Sequence, residues 1–542
     1  MEIKRLDDDY YLDNFTTLLT HVAERYRGLI NAAEQEWYDS LMKRSEAARR
    51  LYIRLVSRKG PYFRLDKLKY PEIHDLSAAA IELEQHKLLN FTPQLCSIDI
   101  GALLTKAELL SRFSGLNKQD SKTALIENLQ RQEPTPKPLA HWLQLQDLRI
   151  LAPNGYQHLE TFRLLFFGNL RQDLSEFVVS ELGLIRYENY PLTERRLFED
   201  RQAIDLALEM NRQQQRFEEI LSLAFTDQTE QLLLLGTNLI PPFDSPILEH
   251  RRQTLINKIA RQLERCMRPS DASTLYQLTT LPPSRERQAR IQHQQGNLEN
   301  ALKICADIVK EPVSVPEQEF AERFSNRINK ERMKAAVIWP EQRITLSYNT
   351  RVEDAVAEHY QQQRWQVFWT ENTLLTGIFG LLFWEQIFTP LAGVFNHPYQ
   401  RQPADYNHPD FCSRRQQLFQ ARLSELNQSN ILLQLEACWL SKQGTANPLV
   451  NWKELSWPLL QRTIKAIPST QLKQIFDCFC FDLQSYRSGL PDLIMFREQE
   501  YLLVEVKGPG DKLQGNQKRW LTKMIRFNVP CSVVWVSRSN SG

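Results

Sequence analysis

Residues 488–508 read SGLPDLIMFREQEYLLVEVKG, and this stretch limits the possible folds more than any other in the chain. Two runs of strand composition, LIMF and YLLVEV, flank the polar turn REQE, so a β-hairpin is expected. A turn centred between Glu498 and Gln499 sets Asp492 opposite Glu505. Side chains of such a pair leave the same face with Cβ atoms about 5 Å apart. Lys507, two positions beyond Glu505, points to that face as well. Three ionisable groups are thus expected to converge on a sheet that otherwise wants to be buried.

Two bare carboxylates at that separation repel and drive one pKa upward unless a divalent cation lies between them. Oxygen donors without His or Cys select Mg²⁺ or Mn²⁺ over zinc. Such a cation holds a phosphodiester oxygen and lowers the pKa of a bound water. Lys507 is suited to orient that water and offset developing negative charge. The trio therefore predicts a phosphodiester hydrolase site. The alternative is an ordinary ion pair of Lys507 with the two acids, but burying three charges merely to hold a fold is often no better than apolar packing.

The elements around the hairpin can be read in order. Leu472, Ile475, Phe476 and Phe479 form one helical stripe behind a cap at Ser469. After the hairpin, Gly508-Pro509-Gly510 breaks the strand, a helix is expected from about Asn516 to Phe527, and CSVVWVS at 531–537 makes a further strand. The expected order is αββαβ.

At 542 residues the chain exceeds one core, so several domains are expected. Residues 1–90 read as a helical DNA-binding region whose segment LYIRLVSRKGPYFRLDKLKY (51–70) interleaves Arg54, Arg58, Lys59, Arg64, Lys67 and Lys69 with aromatic residues. That mixture suits phosphate contacts, Arg58 and Lys59 foremost, although an amphipathic helix and turn with a solvated rim is the commoner origin of such a pattern. Residues 91–138 hold two short helical patterns around Gly115-Leu116 and a Pro-rich linker, QEPTPKP. Residues 139–365 read as helix after helix, with one tetratricopeptide-like pair near 284–309, and 366–542 form the last domain. The fold class is therefore multidomain and mostly α-helical, ending in an α/β domain.

A composition of 42% hydrophobic and 24% charged residues is that of a globular protein, not a disordered one. No basic-then-apolar leader and no run of about 18 apolar residues is found, so a cytoplasmic protein is expected, without membrane partners. The eight cysteines are scattered and read as reduced. Net charge is only +2, but residues 451–542 carry 13 Lys and Arg against 8 Asp and Glu, which favours an anionic partner at that end.

RSGLPDL, LVEVKGPGDKL and QKRWL together resemble the VRR-NUC branch of the PD-(D/E)XK nucleases. The long helical N-terminal part, the segment RLxxRKxxxFRxxKLxY and the stretch at 103–129, which resembles a DNA-binding SAP module, extend the likeness to the Fanconi-associated nuclease family in a bacterial-type form. The resemblance implies Mg²⁺ or Mn²⁺ held by Asp492, Glu505 and the main-chain carbonyl of Val506, with Lys507 assisting the nucleophilic water. It also implies a further Glu from an upstream helix. TENTLLTGIFGLLFWEQIF (370–388) offers Glu371 and Glu385, about 21 Å apart on a continuous helix. Glu371 is preferred because it lies at the helix start, and Glu385 is then expected to be a buried or paired structural acid.

The same resemblance implies a structure-selective DNA nuclease that cuts 5′ flaps, degrades from 5′ ends and acts in interstrand cross-link repair. It implies branched or 5′-flap duplex DNA as partner and no nucleotide cofactor. Lys118 and Lys122 in the SAP-like stretch and Arg487 and Lys512 flanking the motif are the remaining phosphate candidates. The zinc finger of animal members has no Cys/His counterpart here. Two rival readings stand beside this one: a junction resolvase or restriction-type endonuclease with the same site, and a non-catalytic DNA-binding scaffold.

Overall fold

A computed structural model describes residues 10–143, 148–172, 185–192, 194–330, 337–427 and 429–539. The chain divides into two compact units, residues 1–184 with 200–204 and residues 185–199 with 205–542.

In the first unit, helices at Tyr10–Arg25, Ala32–Met42 and Glu46–Val56 each bury one face, through residues such as Leu18, Trp37 and Leu51. A small sheet follows, in which Ile150–Pro153 runs antiparallel between Phe63–Arg64 and Leu89–Asn90. Helices α1 (Lys106–Arg112) and α2 (Lys122–Gln132) are the two expected within 103–129. Local chemistry sets where they start. Thr105 and Glu108 form a reciprocal capping box, and the Ser121 hydroxyl accepts from the Ala124 N–H. Leu109 and Leu129 then bury against Leu95, Ile100 and Trp142 in one core.

In the second unit, α3 (Ser284–Gln294) and α4 (Leu298–Lys310) form the expected helix pair, and α5 (Val315–Ile328) packs onto them. Phe320 and Phe324 fill the space against Ala289, Ala301 and Ile308. The stretch 139–365 is not helical throughout, because Ile150–Pro153 and β1 (Glu341–Leu346) are strands. β1 is an edge strand whose Glu341, Arg343 and Thr345 are exposed, so only Ile344 and Leu346 offer an apolar signal.

β1 belongs to a five-stranded sheet with β2 (Gln366–Trp369), β3 (Leu493–Arg497), β4 (Glu500–Lys507) and β5 (Cys531–Arg538), in the order β1-β5-β4-β3-β2. β2, β3 and β4 run antiparallel in turn, whereas β5 is parallel to both β4 and β1. Helices α6 (Val352–Gln361), α7 (Leu374–Leu382), α8 (Ser469–Phe481) and α9 (Gly515–Arg526) are among those of the same domain. The terminal run α8-β3-β4-α9-β5 has the expected αββαβ order, with one short helical turn at Leu483–Tyr486 inserted. Ser469 is the first helical residue of α8 and Pro468 takes the cap position expected for it.

Alternation decides which side chains face which layer. Leu493, Met495, Val504, Val506, Val534 and Val536 pack against Val356 and Tyr360 of α6. Glu505 and Lys507 therefore leave by the opposite face, the one served by α9. Trp520 fixes α9 there: its indole N–H donates to the Tyr486 carbonyl at 2.9 Å, and its ring packs edge-on against Phe479 and Tyr486.

Candidate active site

The hairpin has the register expected of it. Leu493 pairs with Val504 and Arg497 with Glu500, so Asp492, one residue before β3, falls opposite Glu505. The turn is closed by Glu498 in a left-handed conformation, φ 53°. An Asp492 carboxyl oxygen accepts from the Val506 N–H at 2.8 Å, which ties the acid to the neighbouring strand. Its main-chain carbonyl accepts from two N–H groups beyond the end of β2, those of Thr370 at 2.9 Å and Glu371 at 3.0 Å. Glu371 is thereby fixed beside Asp492 in a left-handed backbone, φ 30°, a conformation that costs a non-glycine residue energy.

Glu505 is 1% exposed and Lys507 8%. The Lys507 ammonium donates to Glu505 Oε1 at 2.6 Å, and the Gln517 amide of α9 donates to the same oxygen at 2.6 Å. Among the described residues no donor reaches Oε2, which leaves that oxygen for a ligand. Burial, and then the charge of Asp492, push the Glu505 carboxyl up to about 7, against the opposing pull of Lys507. Burial also raises Asp492, offset by the Val506 N–H and by Lys507. Glu371 adds to the upward push on both acids, and Glu353 of α6 adds to that on Asp492.

This electrostatic pattern is that of an acidic cradle short of positive charge. A single lysine does not neutralise the set, and every side-chain donor in it is a carboxylate oxygen, the chemistry of a hard divalent cation. Among the described residues no three His, Cys, Asp or Glu are drawn together closely enough to hold an ion as they stand. Glu505 is turned onto Lys507 and Gln517, and Glu371 is exposed. The donor set fits a divalent cation; closure around one requires these carboxylates to turn.

The turn and loop residues around the trio have identifiable work. Gly489 takes φ +83°, and a Cβ there would lie 2.8 Å from the Asn516 main-chain carbon, so only glycine lets the start of α9 approach the turn. The Gly508 N–H donates to Asp511 at 2.8 Å and closes the loop after Lys507.

Glu371 is brought to the trio and Glu385 is not. Glu385 is exposed, in a separate helical turn, Trp384–Ile387, that begins after α7 ends at Phe383. The expectation of a buried acid on one continuous helix is thus corrected. Glu371 likewise precedes α7 instead of lying on it. Sequence reasoning missed Glu353, whose only sequence mark is its place in the first turn of a helix, and gave no role to Gln517, the first residue of QKRWL.

The phosphate candidates fall at different places. Arg487, beside the turn, lies over the Tyr406 ring at 5.5 Å, and Lys512 is exposed in the loop after β4. In the first unit, Arg58 and Lys59 are exposed, with Arg58 donating to the Tyr70 hydroxyl at 3.0 Å. Lys118 is exposed between α1 and α2, and Lys122 opens α2 half-buried. Two other cations of the basic segment serve the fold instead. Arg64 is buried with Asp66 and Glu108, each at 2.8 Å, and Arg54 pairs with Glu72 at 2.7 Å over the Tyr11 ring.

The chain is similar to known proteins over nearly its whole length. Three family descriptions match: FAN1, HTH domain, at residues 9–90; Fanconi anemia-associated nuclease SAP domain at 99–142; and VRR-NUC domain at 427–538. The Fanconi-associated nuclease 1 homolog of Pseudomonas aeruginosa is 33% identical over 97% of this chain and 95% of its own length. Homologs from Oryza sativa and Arabidopsis thaliana are each 24% identical, and the chain spans 62% and 66% of their lengths. Crystal structures of paFAN1 bound to 2nt and 1nt 5′-flap DNA with a gap superpose with TM-scores of 0.88 and 0.85, at 31% and 32% identity. They cover 99% and 98% of this chain and all of the other.

Proposed function

The chain belongs to the Fanconi-associated nuclease family, and from that premise we propose that Asp492, Glu505 and Lys507 form the catalytic centre with which it cuts 5′-flapped DNA. It is a structure-selective DNA nuclease, a hydrolase of phosphodiester bonds whose family implies a divalent metal. The proposed metal is Mg²⁺ or Mn²⁺, held by Asp492, Glu505, Glu371 and the carbonyl of Val506. The observation that carries the reading is the pairing of Asp492 and Glu505 across the hairpin, with Lys507 bonded to Glu505 at 2.6 Å.

When bound, the cation supplies Lewis-acid polarisation of the phosphate and activation of a water. The protein does the rest. The Val506 N–H and the Gln517 amide hold the two carboxylates on the face of the sheet that Lys507 shares, from which they turn to meet a cation. Hydrolysis joins a water oxygen to phosphorus and releases the displaced oxygen as a hydroxyl. Lys507 Nζ is the cationic donor within the trio and offsets the negative charge that builds on the phosphoryl oxygens. In this reading Arg58, Lys59, Lys118, Lys122, Arg487 and Lys512 contact phosphates of branched duplex, and the enzyme acts on cross-linked DNA in the cytoplasm of a bacterial cell.

Cleavage of 5′-flap, 3′-flap, four-way-junction and linear duplexes, each with Mg²⁺, Mn²⁺ or chelator, tests the proposal. Preferential 5′-flap cutting that needs a metal supports it. Symmetric junction cutting by a dimer favours a resolvase, and DNA binding without cutting favours a scaffold; either result overturns it.

A further inference from the structure

The face of the sheet that carries Glu505 and Lys507 does not end with them. In the parallel register, Trp535 of β5 pairs with Lys507, and Arg343 of β1 pairs with Trp535. Laterally paired residues share a face. Lys507, Trp535 and Arg343 therefore form one row across three strands, at successive spacings of about 4.8 Å. The Arg343 guanidinium lies 5.8 Å from the centre of the indole. Thr345 and Ser537 continue the same face and are exposed.

Three features of this row are unlike ordinary surface. Arg343 is exposed, and among the described residues no carboxylate lies within ion-pair distance of it. The neighbouring acid, Glu341, accepts instead from the Trp339 indole at 3.2 Å. Trp535 is half-buried, and its indole N–H is occluded with no acceptor among the described residues. Buried donors are usually satisfied, so this one is an exception to the rule. An edge strand needs charge to discourage pairing with another sheet, which accounts for a charged β1. It does not account for a cation stacked on an indole in line with Lys507.

We propose that Trp535 and Arg343 form a nucleotide-binding ledge beside the catalytic centre, taking the nucleotide next to the scissile phosphate on the strand being cut. The inference rests on the reading of Asp492, Glu505 and Lys507 as that centre. The indole offers its face to a base or sugar, a sequence-tolerant contact because every base has a π-face. Arg343 takes the adjoining phosphate, where its planar fork suits two oxygens. Together they hold single-stranded DNA in line with Lys507 and set where along a flap the cut falls.

The test uses the full chain with Mn²⁺ and a 5′-flap duplex. One substrate set carries an uncharged methylphosphonate at each phosphate flanking the cut in turn. A second carries an abasic residue at each neighbouring nucleotide. Arg343→Gln is expected to raise KM about tenfold with kcat nearly unchanged, as loss of uniform binding does, and to reduce the salt slope of DNA binding by about one. At one flanking position the methylphosphonate should slow the wild type and have no further effect on Arg343→Gln. Trp535→Ala should likewise erase the penalty of the abasic residue, and Trp535→Phe, which keeps an aromatic face, should restore it.

Wild type that cuts normally while Arg343→Gln keeps its KM and responds to every methylphosphonate as wild type does overturns the ledge alone. Wild type that cuts no substrate overturns the catalytic reading and the ledge with it. Should Trp535→Ala fail to fold, Arg343→Gln, at an exposed position, decides the matter.

Discussion

Replacing Glu505 with Gln preserves its shape and an oxygen for Lys507 and Gln517 to donate to, while deleting the charge this site finds hardest to hold. The carboxyl is pushed from 4.5 to about 7 by burial and by Asp492. The folded protein then binds this proton more tightly than the unfolded chain does. Stability is therefore lost as pH rises from about 4.5 to about 7, and remains lost above that. At about 1.4 kcal/mol for each pH unit of displacement, the loss approaches about 3 kcal/mol by about pH 8, and stays under about 1 kcal/mol near pH 5.

The assay is thermal unfolding of the full chain in chelator at those two pH values, read as variant minus wild type so that other titrations cancel. Glu505→Gln should melt several degrees above wild type at the higher pH and close to it at the lower. Saturating Mn²⁺ should narrow the gap at the higher pH, because a ligand that binds only the folded state raises its stability. A variant no more stable than wild type in chelator at about pH 8, or a gap that does not widen with pH, refutes the argument that Lys507 and Gln517 only partly compensate the buried Glu505 carboxylate.

Glu371→Gln should cost at least about a hundredfold in kcat, whereas Glu385→Gln should leave cleavage within about twofold of wild type; equal effects would contradict the choice between them. Gln517→Ala frees the Glu505 carboxylate and should lower kcat roughly 10- to 100-fold while flap affinity, measured in chelator, is retained. Gly489→Ala forces a left-handed residue against the Asn516 main chain and should destabilise the protein by about 2–4 kcal/mol, seen as a lowered melting temperature.

Much of the site was legible because its information is local. The alternation of LIMF and YLLVEV around a short polar turn fixes the register, and the register alone carries Asp492, Glu505 and Lys507 to one face. Features that depend on distant partners were not legible. β1 is a strand because it pairs in parallel with β5, almost two hundred residues later, and its own six residues carry only two strongly apolar side chains. Glu353 reaches the site through the packing of α6 against β4, which no spacing encodes. Arg64 looked like its neighbours Arg58 and Lys59 in a basic segment, yet Glu108, 44 residues away, turns it into a buried structural cation. Glu371 and Glu385 read as the two ends of one continuous helix; the left-handed turn at Glu371 and the break at Phe383 leave both outside α7.

Asp492→Asn leaves an oxygen to accept the Val506 N–H and removes only the charge at the junction of three strands. Its cleavage of a 5′-flap duplex in Mn²⁺, set beside its affinity for the same duplex in chelator, tests the catalytic assignment most directly. The account predicts loss of cleavage by at least about a thousandfold with affinity held within about threefold. Cleavage at the wild-type rate with unaltered affinity would contradict it.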